Sequence, residues 1–224
     1  MSDALVVLAP LRIEALALGH HDGVRVLRTG MGPVRSRAAA QRARALDSPA
    51  LAIAGLCAGI APALRAGDVV CASELRCEDA DPLALPASTL LAAELRRRGL
   101  RVHVGALASS TQIEGPAARR LRQGEALALD MESAWLAQAA GGRPLAVVRV
   151  VVDIAGRRLA DPRIALAGLA ALRSLHRSGG ALAAWAYALK GEPSAVSPTP
   201  ANAAGRTAAD DPLRFDSPRE LTPG

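Results

Sequence analysis

Two short apolar runs in this sequence are each followed directly by carboxylates, where side chains could do chemistry. Ala126–Leu129 leads through Asp130 to Glu132. Leu145–Val152 leads directly into Asp153. Runs of this length without polar alternation are typical of buried parallel strands, and parallel sheets bind ligands at the carboxyl ends of their strands. We therefore expect Glu132 and Asp153 to lie on one rim of a sheet.

Glu132 has the chemistry to hold a sugar. A carboxylate accepts hydrogen bonds on both oxygens and can bind two neighbouring hydroxyls, and Met131 would offer an apolar surface to the sugar face. The alternatives are structural. Asp130 suits the N-cap of a helix, and an acid in the first turn complements the helix dipole; a single methionine is ordinarily part of a core.

Asp153 could act as a proton donor, because desolvation beside an apolar pocket raises the pKa of a carboxyl group. It could equally cap the turn that follows it or pair with an arginine. Glu14 is ambiguous in isolation. Its neighbours Ile13 and Ala15 weakly indicate a buried position, but exposed helices contain glutamates too.

Two glycine-rich segments, Gly30-Met31-Gly32 and Gly55–Gly59, would let the backbone approach a ligand closely. Neither matches the dinucleotide-binding fingerprint or the P-loop. Gly55-Leu56-Cys57 faintly resembles a nucleophile elbow, but no histidine is placed to serve Cys57. The four histidines have no metal-ligand spacing, so we expect neither a metal nor a cofactor.

The elements that must position these residues alternate between strand and helix. Val24–Thr29 predicts a strand, and Pro33–Leu46 a helix with proline in its first turn. Leu51–Ala54 predicts a second strand, Gly55–Gly59 a loop, and Gly67–Ser73 a third strand. This order predicts an α/β fold with a mixed sheet surrounded by helices.

The sequence after the third strand predicts further elements and a tail. Leu75–Pro86 is expected to be a polar loop, and Leu159–Leu189 a helix broken at Gly179-Gly180. Residues 191–224 are rich in Pro, Ser, Thr and Ala, a composition typical of disorder. At 224 residues the chain suits one domain, which we place at residues 1–190.

Composition and charge exclude several classes of function. The formal net charge is +6 and aromatic residues make up only 2%, so the stacking platforms of a nucleic-acid binder are lacking. The arginines fall mostly on predicted helices and are explained as solvated faces, with an anionic substrate or a membrane surface as the alternative. The three cysteines form no C-x-x-C pair. We therefore expect them to be reduced and the protein to be cytoplasmic.

Two features bear on membranes. The N-terminus shows no basic region followed by an apolar core and a cleavage site, and no apolar run reaches about 20 residues, so we expect a protein that is soluble or at most peripheral to a membrane. Ala181–Lys190 carries Trp185 and Tyr187, which could contact a membrane surface. We favour the alternative, in which this segment is a C-terminal helix packed on the sheet.

Five motifs in order resemble the purine nucleoside phosphorylase and nucleosidase superfamily, over roughly residues 4–190. They are Ile13-Glu14-Ala15, Thr29-Gly30-Met31-Gly32, the segment Gly55–Leu75, Asp130-Met131-Glu132-Ser133, and the VVRVVVD that ends at Asp153. Within the superfamily, the motif sequences are most similar to those of the hopanoid-associated phosphorylases. The segments that carry this similarity are RTGMGP, CAGIAP, DMESA and VRVVVD.

The resemblance implies cleavage of an N-glycosidic bond through a transition state with positive charge on the ribose. It implies that Asp153 protonates the leaving purine, that Glu132 with Met131 holds the ribose, and that Glu14 orients or activates an attacking water. It also implies substrate contacts from Cys57, Ala58, Gly59, Gly30 and Ile113.

The subfamily implies that the substrate is lipid-linked adenosylhopane, which loses adenine during hopanoid biosynthesis, and that the enzyme is a homo-oligomer. One alternative is a methylthioadenosine/adenosylhomocysteine-type nucleosidase of nucleoside salvage. Another, from a different class, is a catalytically silent nucleoside-binding protein.

The attacking group is a separate question. Phosphate is a candidate co-substrate, but Ile53 and Leu56 stand where the phosphorylases place an arginine and a serine, and this departure favours water. Arg28 and Arg149 could bind an anion or could be structural.

Overall fold

The computed structural model describes residues 3–78, 80–112, 116–154 and 163–191, without the side chains of a few residues at the edges of these ranges, Asp153 among them. The chain divides into two units, Met1–Glu192 and Pro193–Gly224. The predicted tail beyond Gly191 and the predicted contact residue Ile113 lie outside the described residues.

The described part of the chain forms a mixed sheet surrounded by helices, which confirms the predicted fold class. The strands are β1 Leu5–Ala9, β2 Val24–Arg28, β3 Leu51–Gly59, β4 Val69–Cys77, β5 Ala80–Ala84, β6 Val102–Ser109, β7 Ala128–Asp130 and β8 Leu145–Ile154. The helices are α1 Arg12–Leu18, α2 Pro33–Arg44, α3 Ser88–Arg97, α4 Pro116–Gln123, α5 Ser133–Leu136, continued by a 3-10 turn at Ala137–Ala139, and α6 Arg163–Gly191.

The strand order is β2-β1-β3-β7-β6-β4-β5, and β8 pairs with both β3 and β4. Because β7 links β3 to β6 and β8 links β3 to β4, the strands β3, β8, β4, β6 and β7 close into a ring. The ring brings the ends of β3 and β7 and the last part of β8 together, where the polar side chains of the predicted site follow.

Alternation along the central strands divides the core into two layers. On β1, Leu5 and Val7 belong to one buried cluster, and Val6 and Leu8 to the other, as expected when successive side chains point to opposite faces. Helix α6 covers the first layer with Trp185, which is fully buried. Small alanines of α2 pack on the second layer.

The structure corrects three local predictions. Gly55–Gly59 is not a loop but the second half of β3, and the predicted loop Leu75–Pro86 contains the end of β4 and all of β5. The strand β7 runs antiparallel to β3, whereas β8 runs parallel to it. Glu132 and Asp153 therefore follow strands of opposite direction, and the expected pair of parallel strands was wrong.

Gly179-Gly180 does not break the last helix, which is continuous across it. A Cβ added to Gly179 would lie 2.4 Å from the carbonyl oxygen of Leu18 at the end of α1. The glycine pair therefore allows α1 and α6 to approach closely instead of ending a helix.

The aromatic segment Ala181–Lys190 packs on the sheet as favoured. Trp185 is 0% exposed, and the hydroxyl of Tyr187 donates a hydrogen bond to the carbonyl of Asp22. No helix within the described residues is long and apolar enough to cross a membrane.

Candidate active site

A cavity of about 310 Å³ opens where the ends of β3 and β7 meet the last part of β8. Among the described side chains, the carboxylates of Glu14, Asp130 and Glu132 line it. The rest of its lining is almost entirely apolar: Pro10, Leu11, Met31, Leu56, Cys57, Ala58, Leu129, Met131 and Val152. A concave apolar site with a few convergent polar groups is typical of small-molecule binding.

Arg149 forms the centre of the polar cluster below this cavity. It lies on β8 beside Gly55 of β3 and is fully buried. Its Nε is 2.8 Å from Asp130 Oδ2 and donates to the hydroxyl of Ser133 at 3.1 Å. Its Nη2 lies 3.6 Å from Glu132 Oε2 and forms no hydrogen bond with the residues that the structure describes. A charge this deeply buried requires carboxylate partners, and the cluster supplies them.

Asp130 joins the end of β7 to the start of α5. It accepts hydrogen bonds from the Ser109 hydroxyl at 2.5 Å and from the backbone N–H groups of Glu132 and Ser133. The Ser109 oxygen in turn accepts from the N–H of Ala134. Asp130 thus has the capping function expected from the sequence and also pairs with Arg149, which fixes the turn that carries Glu132.

Glu132 is buried and lies at the N-cap of α5, directly before Ser133. Its Oε1 accepts a hydrogen bond of 3.2 Å from the N–H of Gly32, where φ is +84°, a conformation that favours glycine. Burial raises the pKa of this carboxyl, an effect that the charge of Arg149 opposes. The glycine-rich turn before α2 therefore helps to position this carboxylate.

Glu14 faces the cavity from the first turn of α1. It accepts hydrogen bonds from the N–H of Leu11 at 2.6 Å and from the N–H of Leu56 at 2.7 Å. The first is the reciprocal half of a capping box, and the second ties α1 to β3. Burial raises the pKa of Glu14, again against the charge of Arg149.

Gly55 separates Glu14 from Arg149. A Cβ at this position would lie 2.5 Å from Nη1 of Arg149 and 2.7 Å from Oε1 of Glu14. Both side chains are anchored, so neither can move away freely. The glycine allows the carboxylate and the guanidinium to face each other across the strand.

We expect Gly55→Ala to destabilise the protein by about 1–3 kcal/mol through overpacking and to displace Glu14 from the cavity wall. Thermal unfolding measures the first effect and the rate of nucleoside cleavage the second. Gly168→Ala on α6 is the matched control, because a Cβ there has no atom within 4 Å. The control should be neutral or stabilising by up to about 1 kcal/mol. Equal stability and activity of the two variants would contradict the proposed crowding.

The structure brings together five of the residues predicted for the site: Glu14, Cys57, Ala58, Met131 and Glu132 all line the cavity. Gly30 and Gly59 do not belong to its lining. Gly30 turns the chain with φ +86° and donates its N–H to the carbonyl of Pro10. Gly59 is buried at the end of β3.

The backbone of Asp153 lies near the end of β8, paired with Ala58. This is the rim of the cavity, since Ala58 and Val152 both line it. The role of the Asp153 side chain stays a prediction.

Cys57 is buried against the cavity and its thiol is free. Burial raises the pKa of this thiol strongly. A thiol that resists ionisation is a weak nucleophile, so the arrangement is not that of a nucleophile elbow, and Cys57 provides apolar surface. No group of three or more His, Cys, Asp or Glu side chains suited to a metal ion occurs among the described residues.

Sequence reasoning underestimated Arg149 and missed Ser109 and Gly55 as parts of the polar cluster. The sequence did contain one indication that Arg149 has a special role: it is the single charged residue inside a run of valines. A buried charge of this kind requires several acceptors, and the nearby DME motif could have supplied them. No local signal identified Ser109, whose role depends on the pairing of β6 with β7.

The site combines buried carboxylates with an apolar cavity at the rim of a mixed sheet, and a family match identifies the chain as an enzyme that cleaves N-glycosidic bonds. The chain belongs to the phosphorylase superfamily, whose family model matches residues 11–175. No curated protein is significantly similar to it in sequence.

Solved structures share the fold at low sequence identity. The 5'-methylthioadenosine/S-adenosyl homocysteine nucleosidase of Campylobacter jejuni superimposes with a TM-score of 0.66 at 16% identity, covering 81% of this chain and 97% of that one. A Helicobacter pylori nucleosidase mutant holding 5'-methylthioadenosine has a TM-score of 0.65 at 16% identity, covering 84% and 100%. The futalosine hydrolase of H. pylori has a TM-score of 0.64 at 19% identity, covering 82% and 97%.

Proposed function

We propose that this protein is a purine nucleosidase, which uses water to cleave the N-glycosidic bond of an adenine nucleoside with an apolar 5′ substituent. The observation that carries the proposal is the charge balance of the cavity. Among the described side chains, three carboxylates line the cavity and the guanidinium of Arg149 lies below them, paired with two of the three.

This balance favours water over phosphate as the attacking group. Arg149 is the one cation in the cluster among the described residues, and it is engaged by Asp130 and Glu132. A phosphate dianion entering the cavity would meet a surplus of negative charge at short range, where the low dielectric strengthens repulsion. The same negative charge stabilises a ribose that becomes cationic in the transition state.

Glu14 is the proposed base. Its carboxylate faces the cavity while two backbone N–H groups fix its orientation. The buried Nη2 of Arg149, which has no described acceptor, is the proposed second ligand of the water, since buried donors are rarely left unpaired. A water held by both groups would lose a proton to Glu14 as it attacks the sugar.

Glu132 is proposed to hold the ribose hydroxyls, with Met131 against the sugar face. Cys57 and Ala58 are proposed to border the purine. Asp153 remains the proposed proton donor to the leaving base, supported by its backbone position opposite Ala58 and by the resemblance at VVRVVVD. If Asp153→Asn binds nucleoside but still releases the base at the wild-type rate, this assignment is wrong.

We propose two candidate substrates whose 5′ group would contact the apolar wall of the cavity, which includes Pro10, Leu11 and Met31. Adenosylhopane is proposed from the resemblance to hopanoid-associated phosphorylases. Small thioadenosines are proposed because a solved structure of the same fold holds 5'-methylthioadenosine. Both have an apolar group on the 5′ carbon and adenine as the leaving base.

The experiment is adenine release by the purified protein from methylthioadenosine, adenosylhomocysteine and detergent-dispersed adenosylhopane, each with and without phosphate. We expect release that does not depend on phosphate, and the preferred compound identifies the substrate. A silent nucleoside-binding protein would bind a member of the panel without releasing adenine. Strict dependence on phosphate would overturn the choice of water.

The pH dependence tests the role of Glu14. A base must be ionised to act, and because burial raises the pKa of Glu14 above its ordinary value of 4.5, the carboxylate is lost at a higher pH than for an exposed glutamate. We therefore expect kcat/KM to fall on acidification with a midpoint above 4.5. An acid limb at or below that value, in a protein that remains folded, would contradict the assignment.

A further inference from the structure

A second concave surface lies on the opposite side of α1 from the polar cluster. This α1–α6 groove has a volume of about 640 Å³ and is lined by Ile13, Leu16, Ala17, Leu172, Arg173, His176 and Arg177. Glu14 on the same helix faces the active-site cavity instead. Helix α1 therefore separates the catalytic cavity from an open apolar groove.

Large apolar side chains around the groove are unusually exposed. On α1 these are Ile13, at 50%, and Leu16, at 68%; on α6 they are Leu166, at 70%, and Leu169, at 45%. Leu166, Leu169 and Arg173 follow helical spacing and so lie on one stripe of α6. Exposed apolar side chains on one helix stripe beside an open groove mark an interaction site rather than ordinary surface.

The charged side chains that line the groove, Arg173 and Arg177, are exposed and positive. Arg12, which is also exposed, lies one turn before Leu16 on α1, and residues 163–191 contain no Asp or Glu. The only acid of α1 is the buried Glu14. Arg12 and Arg173 form no ion pair with any residue in the described ranges, so their charges are available to a partner.

Hydrogen bonds and a close helix contact hold the floor of the groove. His176 donates from Nδ1 to the carbonyl of Ala17 at 3.0 Å, and Arg177 donates to the carbonyl of Arg98. Gly179 permits the close approach of the two helices. The apolar side chains are thus presented on a fixed surface.

We propose that the α1–α6 groove docks the protein on an anionic lipid bilayer. Exposed leucines and an isoleucine enter the boundary between headgroups and acyl chains, while the surrounding arginines contact the lipid phosphates. Charge complementarity selects this occupant: a neutral apolar ligand would not require three arginines and an absence of acids. The proposal concerns a different segment from Trp185 and Tyr187, and it does not depend on the substrate.

The test is co-sedimentation of the full chain with phosphatidylglycerol vesicles and with phosphatidylcholine vesicles. We expect binding to the anionic vesicles alone, weakened when salt is raised from about 0.05 M to about 0.5 M. Leu16→Glu should lower the partition coefficient at least about tenfold, through loss of apolar burial and gain of repulsion. Arg173→Gln should lower it about fivefold.

Matched controls distinguish the groove from the general positive charge of the protein. Leu83→Glu changes an exposed leucine on β5, and Arg42→Gln an exposed arginine on α2; both should bind as the wild type does. Thermal unfolding of each variant checks its folding. No binding to anionic vesicles, or equal losses in groove and control variants, would overturn the proposal. Dimers that dissociate on Leu16→Glu would overturn it too, because the occupant would then be a second copy.

Discussion

Replacing Arg149 with methionine is expected to destabilise the protein by about 3–5 kcal/mol, because it leaves buried carboxylates without their counter-charge. This is a large part of the about 5–15 kcal/mol that holds a typical domain together. For a domain of about 190 residues it corresponds to a fall in Tm of roughly 6–20 °C. The effect follows from full burial of the guanidinium and its 2.8 Å contact with Asp130.

Two further variants complete the test of Arg149. Arg42→Met on the exposed face of α2 should change stability by less than about 0.5 kcal/mol. Adding Asp130→Asn to Arg149→Met removes an uncompensated charge, so the double variant should be more stable than the sum of the single effects predicts. Additive effects, or an Arg149→Met variant as stable as the Arg42 control, would show that the cluster is not held by its charges.

Replacing Glu14 with glutamine is expected to lower kcat/KM for nucleoside cleavage by about 10²–10⁴-fold, the usual contribution of a general base. The glutamine fills the same space, and its oxygen can still accept from the N–H of Leu11 or of Leu56. Folding should therefore be preserved, and nucleoside affinity should change only a few-fold. Steady-state kinetics and equilibrium binding of a nucleoside measure the two effects separately.

The competing role of Glu14 is to cap α1. If capping were its whole role, Glu14→Gln would lower stability by about 0.5–2 kcal/mol and leave the rate unchanged. Glu94→Gln is a suitable control, since this glutamate pairs with Arg97 and Arg98 on α3, away from the cavity. A normal rate in the Glu14 variant would remove it from the mechanism.

Much of the fold could be predicted because its central strands are short, uninterrupted apolar runs that read as buried sheet. The local predictions that were wrong share one cause: the structure of these segments depends on pairing with strands that are distant in the sequence. Gly55–Gly59 has a loop-like composition, yet hydrogen bonds to β8 keep it extended. The direction of β7 could not be deduced from three residues, because it is set by pairing with β3 and β6 at the same time.

The carboxylates of the candidate site could be predicted from the sequence, but the groups that hold them in position could not. Glu14 and Glu132 stand in recognisable motifs. The partners that orient them include backbone N–H groups of Leu56 and Gly32, which have no signature in a side-chain pattern. Arg149 could be noticed as a charge in an apolar strand, but its partners depend on which segments the sheet brings beside it.

The identity of the sugar product tests the proposed chemistry most directly. The preferred nucleoside is cleaved in ¹⁸O-labelled water with phosphate present, and the sugar is analysed by mass spectrometry before its anomeric oxygen exchanges. We expect a free sugar that carries one solvent-derived ¹⁸O at the anomeric carbon, with adenine released in equal amount. A sugar 1-phosphate without ¹⁸O at that carbon would contradict attack by water and make the protein a phosphorylase.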